Sequence, residues 1–160
     1  MDIDKSNFTG EWEFFKHEGM DEFLKEIGVA WLFRKSAAFV DYGTGGKTKH
    51  ILDYDADKNV LKVVMISPRG TVEVEAPLDG SSFESPPQNP REGKSVKATA
   101  QWVEDDEGLC IHTIISDKGF EAKRRIDKDG VMRVTQMLTR ESDKQITCTR
   151  WFKRSNSPPS

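Results

Sequence analysis

The sequence predicts an all-β fold: an up-and-down antiparallel β-barrel of about ten strands, capped by a short helix-turn-helix. Three observations lead there. From Lys47 onward the chain divides into short alternating segments separated by turns rich in Gly, Asp, Asn and Pro. One stretch, residues 19–40, carries helical spacing instead. Only 36% of the 160 residues are hydrophobic and the mean hydropathy is -0.64, which suits an interior that is not solidly apolar.

In chain order, residues 8–17 read as the first strand. Met20, Phe23, Leu24 and Ile27 then fall at i, i+3, i+4 and i+7, one face of a helix. Asp21 and Glu22 sit in its first turn, where carboxylates suit the helix dipole, and Gly28 supplies the stop. Val29, Leu32, Phe33, Ser36 and Val40 repeat the spacing on a second short helix. Strands follow at 48–54, 60–66, 71–76, 95–103, 109–115, 119–126, 131–138 and 145–153. The turns between them include Asp55-Ala56-Asp57-Lys58-Asn59, Pro68-Arg69-Gly70, Asp79-Gly80, Asp105-Asp106-Glu107-Gly108, Asp117-Lys118-Gly119 and Lys128-Asp129-Gly130. Ser85-Pro86-Pro87-Gln88-Asn89-Pro90 reads as a longer surface loop. Residues 1–154 form one expected domain, and 155–160 a disordered tail. Antiparallel strands joined this way shed their exposed edges by closing on themselves, and a barrel this large has room for a ligand. The two helices have no place in the sheet and are expected over one open end.

Composition narrows the function. Lys+Arg number 24 against 27 Asp+Glu, a net charge of -3, which argues against nucleic acid as a partner and against a DNA-binding reading of the helix pair. No window approaches 18 apolar residues, and the acidic Met-Asp-Ile-Asp-Lys-Ser opening has no apolar run, so a cytoplasmic location is expected. Cys110 and Cys148 show no metal spacing and are expected to be reduced thiols. His17, His50 and His112 are scattered, and no phosphate loop or Ser-His-Asp arrangement occurs. Asp53-Tyr54-Asp55-Ala56-Asp57 lacks the Gly and Glu of a calcium loop. No catalytic residue, metal or cofactor is expected.

The two ends of the chain carry a resemblance. Asn7-Phe8-Thr9-Gly10-Glu11-Trp12, the run Met20-Asp21-Glu22-Phe23-Leu24-Lys25-Glu26-Ile27-Gly28-Val29, and Arg34-Lys35 resemble the opening of the intracellular fatty-acid-binding protein family. Thr147-Cys148-Thr149-Arg150-Trp151-Phe152-Lys153-Arg154 is similar to that family's Thr-x-Thr-Arg-x-Tyr ending. The likeness covers roughly residues 7–154, is strong at both ends and is weak across 41–95. It implies a ten-stranded barrel capped by two helices that binds fatty acids or retinoids non-covalently. It also implies a monomeric carrier with no reaction, whose partner is a fatty acid or similar lipophilic carboxylate.

Position by position, the resemblance puts the carboxylate site at Arg124, Arg150 and Phe152. Alternation agrees: Phe120, Ala122, Arg124 and Ile126 share one strand face, as do Ile146, Cys148, Arg150 and Phe152. Phe152 lacks the family's hydroxyl, so water, another polar group such as Thr135, or a different head group must make up the missing donor. The family alignment turns Arg133, Thr135 and Met137 inward; the opposite register puts Arg133 in water. Met20, Leu24, Val29, Phe33 and Ala37 match cap positions that line the cavity in this family, and ordinary helix packing accounts for them equally. Lys16, Lys25, Arg34 and Lys35 either favour transient contact with anionic membranes or lie on solvated helix faces. The rival readings are a small enzyme or chromophore-binding protein on the same barrel, with Cys110 or Cys148 as nucleophile, and a membrane-associated structural barrel. Fatty acid, retinoid, bile acid and tetrapyrrole are not distinguished.

Overall fold

The protein is described by a computed structural model over residues 3–29, 31–39, 41–86, 93–140 and 143–155. Val40, the side chain of Leu32, positions 87–90 of the proline-rich loop and the tail from 156 lie outside the described residues. The elements run β1 (Gly10–Glu18), α1 (Met20–Glu26), α2 (Trp31–Phe39), β2 (Lys49–Asp55), β3 (Val60–Ser67), β4 (Gly70–Pro77), β5 (Asp79–Ser85), β6 (Val96–Asp105), β7 (Gly108–Ile115), β8 (Phe120–Ile126), β9 (Met132–Thr139) and β10 (Gln145–Arg154). All ten strands form one antiparallel sheet of order β4-β3-β2-β1-β10-β9-β8-β7-β6-β5. β1 pairs with β10, which brings the two ends of the chain together and wraps the sheet into a barrel. β4 and β5 are the two edge strands of this sheet, joined in sequence through Leu78, and their seam carries no hydrogen-bonded ladder.

Two boundaries depart from the sequence reading. Phe8 belongs to a one-turn 3-10 helix, Lys5–Phe8, because Asp4 and Asn7 form a reciprocal capping box that turns the chain before β1. Sequence reading also treats Asp79-Gly80 as a turn and finds no strand before the proline-rich loop. The structure makes this segment β5, paired to β6 through Phe83 and Ala98. The polar run Ser81-Ser82 hides its alternation, and Asp79 Oδ1, which accepts from Ser81, marks a register shift rather than a hairpin.

The barrel interior is solid at one end. Phe8, Trp12, Phe14, Leu52, Met132 and Phe152 are fully or almost fully buried there. A smaller cluster of Phe23, Ile115, Phe120, Leu138 and Cys148 lies under α1. Phe23 is the anchor of that helix, and its burial stabilises the docking by about 1.5–3 kcal/mol. Gly19 (φ 78°) precedes α1, and a Cβ there would stand 2.5 Å from the Thr147 carbonyl, so glycine lets the helix start directly against β10. Arg34 Nη1 donates to the Val29 carbonyl at 2.7 Å, and its Nε lies 3.4 Å from Asp21 Oδ1, tying α2 to α1. No helix among the described residues is long and apolar enough to cross a membrane.

Candidate functional site

Between the two clusters lies a cavity of about 650 Å³, with mostly apolar walls drawn from β3, β4, β7 and β8. Its polar lining includes Thr48, His50, Thr113, Arg124, Gln136 and Arg150. A second space of about 330 Å³ sits beneath the cap and is lined by Met20, Leu24, Val29, Phe33 and Ala37 together with Tyr42 and Arg69. Thr48, Ser67 and Arg150 border both spaces, so Arg150 stands where they meet.

Each inward position follows from the pleat. On β8, Phe120, Ala122 and Arg124 line the cavity, while Arg125 turns outward to Asp105. On β10, Cys148 and Phe152 are fully buried and Arg150 lies between them. The Arg150 guanidinium carbon sits 4.4 Å from the centre of the Phe14 ring and 5.2 Å from that of Phe152. Its Nε is buried without a hydrogen-bond partner. Arg124 Nη1 reaches His50 Nδ1 at 3.2 Å and the Met132 sulfur at 3.6 Å. Among the described residues no carboxylate pairs with Arg124 or Arg150. Burial pulls the Arg124 pKa down to about 10, with the charge of Arg150 adding to the fall; burial also brings Arg150 to about 10, against an opposing contribution from Cys148. Both remain cations at neutral pH. The interior therefore holds two buried guanidinium groups, Arg150 against aromatic faces and Arg124 against an imidazole, with no carboxylate partner among the described residues.

β9 corrects two expectations. Val134 and Gln136 line the cavity, so Arg133, Thr135 and Met137 face outward. Arg133 Nη2 is 3.1 Å from Glu107 and 3.3 Å from Asp127, two outer-face carboxylates that fix this register. Thr135 stands opposite Lys123 and Thr149 on that outer surface and cannot replace the hydroxyl that Phe152 lacks. Sequence reading leaves His50 among the unremarkable histidines. The structure buries it at 4% exposure against Phe152, ring centres 4.5 Å apart. Its alternation with buried Leu52 on β2 was the available signal.

Cys110 and Cys148 are free and buried, on opposite faces of the sheet. Burial raises both thiols, Cys148 to about 11, which leaves them protonated and poorly suited to act as nucleophiles. Among the described residues no group of three or more His, Cys, Asp or Glu side chains comes together as a metal site.

No family model matches the chain. Cellular retinoic acid-binding protein 2 of Mus musculus is 23% identical over 150 residues, covering 92% of this chain and 98% of that protein. Cellular retinoic acid-binding protein 1 of Gallus gallus is 27% identical over the same length and the same shares. Among solved structures, a tyrosine-to-phenylalanine mutant of the REP1-NXSQ fatty acid transporter superposes with a TM-score of 0.69 at 19% identity, covering 93% of this chain and 98% of that one. The chain thus has the fold of the fatty acid transporter structure, a ten-stranded barrel with a helical cap, and is similar over nearly its whole length to cellular retinoic acid-binding proteins.

Proposed function

We propose that this protein binds a lipophilic carboxylate non-covalently in its barrel and carries it through the cytoplasm, with a long-chain fatty acid as the first candidate. The observation that carries this reading is the buried pair Arg124 and Arg150, facing the cavity with no carboxylate among the described residues to neutralise them. A ligand carboxylate would supply the missing charge and accept from the planar fork of each guanidinium. Its tail would lie along the apolar wall, gaining roughly 0.8 kcal/mol per CH₂ before costs. The space under α2 would be its way in, and Phe152 would contribute a ring without a hydrogen bond. No reaction is required. A retinoid acid is the second reading, supported by the full-length likeness to the retinoic acid-binding proteins.

Calorimetric affinities for palmitic and retinoic acids, each beside its alcohol, test the proposal. Arg150→Gln should weaken acid binding by about 1.5–3 kcal/mol, the scale of a lost charge-assisted hydrogen bond, and leave the alcohol nearly unchanged. Equal effects on acid and alcohol would overturn the carboxylate reading and leave a generic apolar cavity. The tighter of the two acids identifies the tail.

A further inference from the structure

His50 stands on β2 between Thr48 and Leu52 and projects into the cavity. Arg124 can only donate, so the 3.2 Å contact from its Nη1 makes His50 Nδ1 the acceptor. A neutral imidazole that accepts at Nδ1 carries its proton on Nε2. Protonating both nitrogens would aim an N–H at the guanidinium and add a third cation to a buried pair. Nε2 makes no hydrogen bond among the described residues, while the ring is held by Phe152 at a 33° tilt. The ring borders the same cavity as Arg124 and Arg150, and Nε2–H is the donor it has left to offer there.

We propose that His50 is a third ligand-binding residue of the head-group site, a neutral Nε2–H donor to the carboxylate whose tautomer is fixed by Arg124. The inference rests on the carboxylate reading above and extends it. Two guanidinium groups already supply more positive charge than one carboxylate needs. A further donor improves the site only if it brings no charge, and an imidazole locked in this tautomer meets that condition. It also accounts for how the site completes its hydrogen bonds with phenylalanine at 152.

The experiment follows His50 directly. Long-range proton–nitrogen correlation spectra of the unliganded wild type should show Nε2 protonated and Nδ1 bare. Saturation with palmitic acid should move the Nε2–H proton downfield, and 1-hexadecanol should not. His50→Phe should lower palmitic acid affinity about tenfold and hexadecanol affinity less than twofold, while His50→Gln, which keeps an acceptor and a donor, stays within about threefold of wild type. An Nδ1-protonated ring in wild type, or an Nε2 signal indifferent to the acid, overturns the inference without recourse to any variant. Equal losses for acid and alcohol in His50→Phe do the same. If Arg150→Gln retains its acid preference for loss and His50→Phe does not, His50 alone is wrong; if neither shows it, the carboxylate reading fails with it.

Discussion

Two guanidinium groups inside a barrel repel each other and lose hydration, so their burial must be offset locally. Arg150 lies against the faces of Phe14 and Phe152, where ring quadrupoles attract a cation. Arg124 instead leans on the lone pair of His50, which works only while that ring is neutral. Burial first, then the charges of Arg124 and Arg150, hold the His50 pKa well below its ordinary 6.5. Below about pH 6.5 the unfolded chain takes up a proton at this position that the folded protein refuses, so stability is present above that pH and is lost as pH falls. For the unliganded protein this contribution should approach about 1.4 kcal/mol per pH unit between pH 6 and the folded-state pKa. Urea unfolding at pH 7.5, 6.0 and 5.0 should show the decline in wild type and a flatter dependence in His50→Gln. Equal slopes in the two proteins would mean that His50 titrates normally in the fold.

Helices α1 and α2 together cover one end of the barrel with few residues, and their attachment is specific. Phe23 plugs the sheet, Arg34 bridges the pair, and Arg140 Nε reaches Glu26 at 3.1 Å from just beyond the end of β9. Arg34, read from the sequence as a cap charge near membranes or water, serves the joint between the helices, with only 13% of its side chain exposed. Phe33 differs from these anchors. It is 37% exposed, borders the space under the cap, and has the Arg69 guanidinium carbon 5.9 Å from its ring centre. Phe33→Asp should therefore leave the barrel folded, with an unchanged circular dichroism spectrum, yet slow uptake of a fluorescent fatty acid by about tenfold, because it sets a charge beside the proposed path of the tail. Wild-type uptake by the folded variant would show that the ligand enters elsewhere. On the opposite surface, β8 and β9 are clamped by ions. Arg125 donates to both oxygens of Asp105, at 2.8 and 2.7 Å, and holds that carboxyl far below the usual range. Arg133 joins the same cluster through Glu107 and Asp127, and this charge lattice sets which face of β9 meets water.

The barrel as a whole closes through one strong junction and one weak one. β1 and β10 share a paired register from Trp12–Arg154 to Glu18–Thr149, whereas the β4–β5 seam has no ladder. Amides of β4 and β5 that point into the seam should exchange with solvent at least about a hundredfold faster than those shared by β1 and β10, since only the latter need the sheet to open. Uniform protection around the barrel would show the seam to be bonded in solution. The architecture was legible in the chain because its signals are local. Alternating strands, Gly- and Asp-rich hairpins and one helical stretch each declare themselves within a few residues, and β5 escaped because serines blur its period. Arg124 and Arg150 could likewise be placed inward from the residues flanking them. Arg133 and Thr135 could not, and for His50 the alternation with Leu52 was only half the answer. A pleat assigns alternate faces but does not say which face is inside, and on β9 that choice depends on Glu107 and Asp127. For His50 it depends on Arg124, 74 residues away in the chain and 3.2 Å away in the fold. Period is a property of neighbouring residues, and burial belongs to the closed barrel.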